Sequence, residues 1–146
     1  MRGLTRTFRL VPDRRPARGI LDTSVVIDLE CIEASRLPIE IAISAITMAE
    51  LAAGPHATSD PEERARRQDR LQRAEAAFDP LPFDAEAARA YGRIYAAVAA
   101  AGRKARGARA VDLLLAAAAC AAGLPLYTRN PDDFRAIGDL VEIVAV

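Results

Sequence analysis

The sequence predicts an α/β domain: a mostly parallel sheet with helices covering both faces. Three observations carry that prediction. Short apolar runs alternate with helical stretches along the chain, the pattern of successive strand and crossover units. The first two runs each end on a polar residue just before a helix, as strands do when they deliver side chains to one edge of a parallel sheet. At 146 residues the chain has the length of one domain, with a core of about five strands and flanking helices.

In order, residues 1–18 carry Arg2, Arg6, Arg9, Arg14, Arg15 and Arg18 with Pro12 and Pro16 among them, and no sustained period. They read as a basic, poorly ordered extension, and residues 19–146 as the domain. Gly19-Ile20-Leu21-Asp22 is a short buried strand that ends on an acid, and Ser24 is placed to cap a helix to about residue 30. Residues 39–44 make a β-branched second strand ending at Ser44. Thr47-Met48-Ala49-Glu50-Leu51 then opens a helix that stops near Gly54-Pro55.

Pro61 starts a long helix of mixed charge to about residue 78, whose thin apolar stripe marks it as solvated. Leu81-Pro82-Phe83 is a short extended piece. Asp84 caps a helix to about residue 101, closed by Gly102, in which Ala87, Ala90, Tyr91, Ile94, Tyr95 and Val98 form a core or dimer-contact face. A loop with Arg103, Lys104, Arg106, Gly107 and Arg109 leads into an apolar helix over residues 110–122, ended by Gly123. Residues 124–128 are a strand, 131–137 a short helix and 141–146 a last strand.

Composition excludes several chemistries. One histidine, His56, leaves no two-histidine metal site, and two cysteines make neither a four-thiolate zinc cage nor a multi-bridge framework. Cys31 and Cys120 read as small core residues in a reducing compartment. His56, beside Pro55 at a helix end, reads as a surface residue. The longest apolar run, residues 113–122, is far below the roughly 20 residues of a spanning helix, and the N-terminus has no apolar signal core. A soluble cytoplasmic protein without a membrane partner is expected.

The formal charge is zero, from 20 Lys+Arg and 20 Asp+Glu, but it is unevenly spread. Residues 1–18 balance at +5 and residues 19–146 at −5. Within that acidic body, acids recur where strands end or helices begin. Asp22 ends an apolar strand, Glu50 lies in the first turns of the next helix, and Asp112 precedes ten apolar residues. A carboxylate beside a core helix is costly unless it is paired or binds a cation. For Asp112 a helix-capping or first-turn role is the structural alternative. Asn130, Pro131, Asp132 and Asp133 likewise fit a capped helix start, with Phe134 in the core. Capping does not explain four such positions converging on one sheet edge.

These residues resemble a known family. Ile20-Leu21-Asp22-Thr23-Ser24 is similar to the opening motif of PIN domains, and Ile43-Ser44-Ala45-Ile46-Thr47-Met48-Ala49-Glu50-Leu51 to their second. Arg109-Ala110-Val111-Asp112-Leu113-Leu114-Leu115-Ala116-Ala117 resembles the third, and Leu126-Tyr127-Thr128-Arg129-Asn130-Pro131-Asp132-Asp133-Phe134 the fourth. Order, spacing and length are similar to VapC-type toxins of bacterial toxin–antitoxin pairs, from about residue 19 to the end.

The resemblance implies a three-layer α/β/α sandwich with a five-stranded, mostly parallel sheet of order 3-2-1-4-5. It implies a metal-dependent endoribonuclease acting on transfer or ribosomal RNA, inhibiting translation and neutralised by a VapB-type antitoxin. It further implies a homodimer. Asp22, Glu50, Asp112 and Asp133 become the catalytic acids, with Asp22, Asp112 and Asp133 as metal ligands. Many relatives have an aspartate where Asn130 stands, so Asn130 carries over only as a neutral or water-mediated ligand. Thr23, Ser24 and Thr128 match hydroxyl positions that support the acids.

The chemistry suits these residue types. Phosphate and carboxylates repel unless a divalent cation lies between them, and oxygen donors suit Mg²⁺, with Mn²⁺ as substitute. Such an ion activates water without a histidine base. Arg103, Lys104, Arg106 and Arg109 precede Asp112 closely enough to rim the pocket and hold flanking phosphates; a merely solvated loop is the plain alternative. A phosphotransfer domain of the receiver or haloacid dehalogenase class fits less well. Ser24 stands where the dehalogenase motif needs a second aspartate, and Lys104 is not late in the sheet as a receiver requires. A catalytically weak PIN module that binds RNA or protein is the remaining alternative, prompted by Asn130.

Overall fold

The computed structural model describes residues 15–103 and 108–146. The expected basic extension therefore lies, over residues 1–14, outside the described residues, as do Lys104 and Arg106 of the cationic loop. Among the described residues four strands, β1 (Arg18–Leu21), β2 (Glu40–Ala42), β3 (Leu126–Thr128) and β4 (Ile143–Ala145), pair in the order β2-β1-β3-β4. All pairs are parallel, with Ile20 aligned to both Ala42 and Leu126, and Leu126 to Ile143.

Alternation along each strand divides the core between the two faces. Ile20, Ala42 and Leu126 pack into one cluster with Ile94, Val98 and Leu113, on the side of helices α4 (Ala85–Ala100) and α5 (Ala108–Ala122). Leu21, Ile43 and Tyr127, one residue further on, pack into the other with Val25, Leu51 and Ala74. That face is covered by α1 (Thr23–Ile27), α2 (Ala45–Ala53) and α3 (Pro61–Ala77). Each fully buried Ile or Leu contributes roughly 1.5–3 kcal/mol, so a one-residue register slip would reverse both faces at once.

The expected fifth strand is reduced to a single parallel bridge between Ser44 and Leu81. Leu81 donates its N–H to Ile43 O (2.9 Å) and accepts from Ala45 N (2.8 Å). Pro80 and Pro82 on either side have no N–H to extend the ladder. The bridge lies outside β2, so the order is that of the 3-2-1-4-5 sheet with its first member shortened to one residue.

Other expectations need correction. Ser24 does not cap the first helix; Asp22 does, accepting from Val25 N, and the helix ends at Ile27 before a 3₁₀ turn over Leu29–Cys31. Cys31, expected in the core, is exposed, because it closes that surface turn, and Cys120 is only partly buried. On α4, Ala87, Ala90, Ile94 and Val98 are buried while Tyr95 is 51% exposed, its ring 6.2 Å from that of Tyr91. On α3 only Ala74 is buried, as its charge pattern predicts. No helix among the described residues is long and apolar enough to cross a membrane.

Candidate active site

The parallel strands bring their carboxyl ends to one edge, and the predicted acids meet there. Asp22, Thr23, Ser24, Glu50, Asp112, Asn130 and Asp133 line one cavity of about 230 Å³, with Ile27 and Phe134 completing its wall. Asp22 is the most constrained of them, 4% exposed at the end of β1. Its Oδ1 accepts from Val25 N (3.1 Å) and from Ser24 Oγ (2.5 Å). Ser24 Oγ in turn accepts from Arg129 N (3.2 Å), fastening the end of β1 to the end of β3.

Glu50 reaches the cavity from α2, which Ser44 starts by accepting from Thr47 N (3.1 Å). Thr23 Oγ1 donates to Glu50 Oε1 (2.6 Å), and Thr47 Oγ1 lies 3.3 Å from the same hydroxyl. Thr47 was not among the expected site residues. Its signal was its place three positions before Glu50, on the same helical face.

Of the two capping alternatives, that of Asp112 fails and that of Asn130 holds in position only, with Pro131, Asp132 and Asp133 in the first turn. Helix α5 begins at Ala108, so Asp112 lies beyond its first turn, which contains no acid. Asn130 occupies the N-cap position of the 3₁₀ helix Pro131–Ile137, yet its side chain makes no cap hydrogen bond. Both side chains face the cavity instead. Thr128, fully buried, accepts from Asn130 N (3.0 Å) and so shapes the turn that presents Asn130 and Asp133.

The acids act on one another electrostatically. Burial first, then the charges of Asp133, Glu50 and Asp22, push the Asp112 carboxyl up from 3.8 to about 6, with Arg109 opposing. The site thus holds an excess of negative charge and draws positive charge to itself. As the side chains stand, no three His, Cys, Asp or Glu groups among the described residues are gathered closely enough to hold a metal ion. Mutual repulsion acts in the direction of keeping them apart.

Of the expected RNA-binding cations, Arg109 is close enough to influence Asp112, and Arg103 Nη1 donates to Asp132 O (3.4 Å), beside the turn that carries Asp133. Arg129 was not foreseen; besides its backbone bond to Ser24, its Nε lies 3.6 Å from Asp28 Oδ2.

An acid-lined cleft at the carboxyl edge of a parallel sheet, with a serine and two threonines ordering the acids, defines an α/β domain of the PIN class. The PIN domain profile matches residues 19–140. The chain is 37% identical to Ribonuclease VapC5 of Mycobacterium tuberculosis over 136 residues, 90% of this chain and 97% of that one. It superposes on the crystal structure of VapBC-5, a member of the VapBC family of toxin–antitoxin systems from the same organism, with a TM-score of 0.76 and 36% identity, covering 90% of this chain and all (100%) of that one. VapBC-1 from nontypeable Haemophilus influenzae gives a TM-score of 0.64 at 25% identity, covering 85% of this chain and 95% of that one. The chain belongs to the PIN-domain family and groups with its VapC members.

Proposed function

We propose that the chain is a metal-dependent endoribonuclease, the toxin of a VapBC-type pair, acting on RNA in the cytoplasm. The observation that carries this reading is the convergence of Asp22, Glu50, Asp112 and Asp133 on one cavity, with Asp112 pushed up by burial and then by its three neighbours. Oxygen donors of this kind fit Mg²⁺ or Mn²⁺, and Asp22, Asp112 and Asp133 would hold the ion. When bound, such an ion supplies charge neutralisation at the phosphate and acidification of water.

The protein's own groups do the positioning. With Asp22 Oδ1 committed to Val25 N and Ser24 Oγ, Oδ2 is the oxygen left for a ligand. Glu50 Oε1 is likewise held by Thr23, so Oε2 is the oxygen this hydrogen bond leaves open. Asp112 must shed its proton before it can ligate, so a metal competes there with the proton and its hold weakens as the pH falls.

A VapB-type antitoxin is the proposed protein partner, supported by solved relatives described as VapBC systems. The exposed Tyr95 beside Tyr91 supplies apolar surface for the homodimer that belongs to the same reading. Transfer or ribosomal RNA is the proposed substrate class. A second reading, a catalytically weak PIN module that binds RNA or protein, is favoured by Asn130 in an acid's place and by the separation of the carboxylates.

One experiment separates the two. Purified protein is incubated with total bacterial RNA in Mg²⁺, in excess EDTA, and in EDTA with Mg²⁺ restored, and new RNA ends are sequenced. A nuclease gives discrete ends that vanish with EDTA and return with Mg²⁺. Ends that persist in EDTA defeat the metal requirement, and no ends under any condition favours the binding module.

A further inference from the structure

A groove leaves the acidic cleft along α3. Thr23, Ile27 and Glu50 line both the cleft and a second cavity of about 350 Å³, whose other wall includes Arg67 and Arg70. Ile27 and Arg70 then line a third cavity, of about 270 Å³, which runs past Ala74 and Phe78. The three meet at Ile27, an aliphatic side chain left 45% exposed. Arg70 is common to the two outer cavities.

The other arginines of α3 are engaged. Arg64 donates to the carbonyls of Pro55 and Thr58. Arg66 and Arg67 donate to Glu63, and Arg67 also to Gly54 O. Arg73 pairs with Glu30 and Asp69. Arg70 makes no hydrogen bond or ion pair with any described residue. Its helix explains why: the positions three and four away are Arg66, Arg67, Arg73 and Ala74, with no acid among them. A half-buried guanidinium without an ion-pair partner among the described residues gives up hydration for no charge-assisted hydrogen bond, although Glu50 and Glu63 line the same cavity, and its planar fork matches a phosphate.

We propose that Arg70 is a substrate-positioning residue that binds a backbone phosphate of the RNA strand as it leaves the acidic cleft through this groove. The proposal rests on the RNA-cleavage reading above. RNA is favoured over a protein carboxylate because the groove opens directly off the cleft and shares Thr23 and Glu50 with it. A strand with its scissile phosphate at the carboxylates therefore carries its neighbouring phosphates along α3. Ile27 offers the sugar or base between them an apolar surface. Arg70 touches no reacting atom in this arrangement; it fixes where the strand lies.

The test measures binding apart from cleavage. A fluorescein-labelled, mixed-sequence single-stranded RNA 12-mer is titrated with the full-length protein in EDTA at several salt concentrations, by anisotropy, and steady-state cleavage is followed separately in Mg²⁺. Arg70→Gln should weaken binding about fivefold to tenfold and lower the slope of log affinity against log salt by about 0.7, the loss of one phosphate contact to a single strand. KM should rise by the same factor with kcat within about twofold, and Arg70→Lys should restore the salt slope. Arg73→Gln, already neutralised by Glu30 and Asp69, should change binding less than about twofold. Wild-type affinity and slope in Arg70→Gln, with wild type binding and cleaving the RNA, overturns the proposal alone. A wild type that neither binds nor cleaves RNA overturns the functional reading and this proposal with it. Unchanged RNA binding with weakened antitoxin affinity overturns it in favour of a protein carboxylate.

Discussion

Thr23 Oγ1 donates to Glu50 Oε1 across 2.6 Å, tying the first residue of α1 to the second turn of α2 in the wall of the acidic cleft. Neither residue could be paired with the other from sequence spacing, since they lie 27 positions apart. The bond orients one of the four acids without bringing a counter-charge to it.

Thr23→Val keeps the β-branched shape and removes the hydroxyl. The expected result is cleavage reduced about tenfold, with stability lowered by about 1 kcal/mol, the usual net worth of one such bond. Thr23→Ser should recover most of the activity. Initial rates and thermal melts on the three proteins check this; full activity in Thr23→Val would show that Glu50 needs no tether.

Asp112 makes the metal-free protein pH-sensitive. Its folded carboxyl is pushed up to about 6 from the 3.8 of an ordinary aspartate, so the folded state binds the proton more tightly than the unfolded state. Stability should therefore rise as pH falls through 6 toward 4, and fall as pH rises through the same window. Asp112→Asn removes the repelled charge. Because the group is half-exposed, the gain at pH 7.5 is discounted to about 1 kcal/mol, roughly 3 °C in Tm for a chain of this size. Activity should be lost in the same variant. Melting curves in EDTA from pH 5 to 8 test the sign; a wild-type Tm that climbs with pH contradicts it.

Gly19 is fixed by a close approach. A Cβ there would stand 2.5 Å from Tyr127 Cε2, 2.9 Å from Cδ2 and 3.2 Å from Pro38 Cγ. The Tyr127 ring is 1% exposed and has no free space to swing into. Gly19→Ala should cost about 1–3 kcal/mol, the range for an overpacked core. Urea unfolding measures it, and a midpoint unchanged from wild type would mean that the strand shifts freely.

Arg109 and Arg64 separate site electrostatics from surface charge. Arg109 opposes the upward shift of Asp112, whereas Arg64 is spent on the carbonyls of Pro55 and Thr58. Arg109→Ala should weaken RNA cleavage more than Arg64→Ala, by about fivefold or more. Equal effects in parallel rate measurements would remove Arg109 from substrate binding.

Much of this arrangement was legible in the order of residues. An apolar run ending in Asp22, a second ending in Ser44 before Glu50, and Asp112 ahead of ten apolar residues place three acids at one sheet edge by topology alone. Local chemistry was harder to read. Ser24 and Asp22 are both good N-cap residues, and only the strand end decides that Asp22 takes that place while Ser24 becomes its donor. Asn130 followed by Pro131 reads as a capped helix start, but the 3₁₀ turn leaves the amide without a backbone partner. The groove of Arg70 was not legible at all. It depends on α3 packing beside α1 and α2, a long-range contact that the charge pattern of a solvated helix does not announce.

Asp22→Asn tests the central arrangement most directly, because the amide oxygen can still accept from Val25 N and cap α1, so the fold is kept while one ligating charge is lost. Wild type and variant are compared for Mn²⁺ binding by electron paramagnetic resonance and for RNA cleavage in the same buffer. If Asp22, Asp112 and Asp133 form one cation site, the variant should melt within a few degrees of wild type, lose Mn²⁺ affinity at least about tenfold and cleave RNA at least about a hundredfold more slowly. Undiminished Mn²⁺ binding and cleavage in a folded Asp22→Asn protein would contradict it.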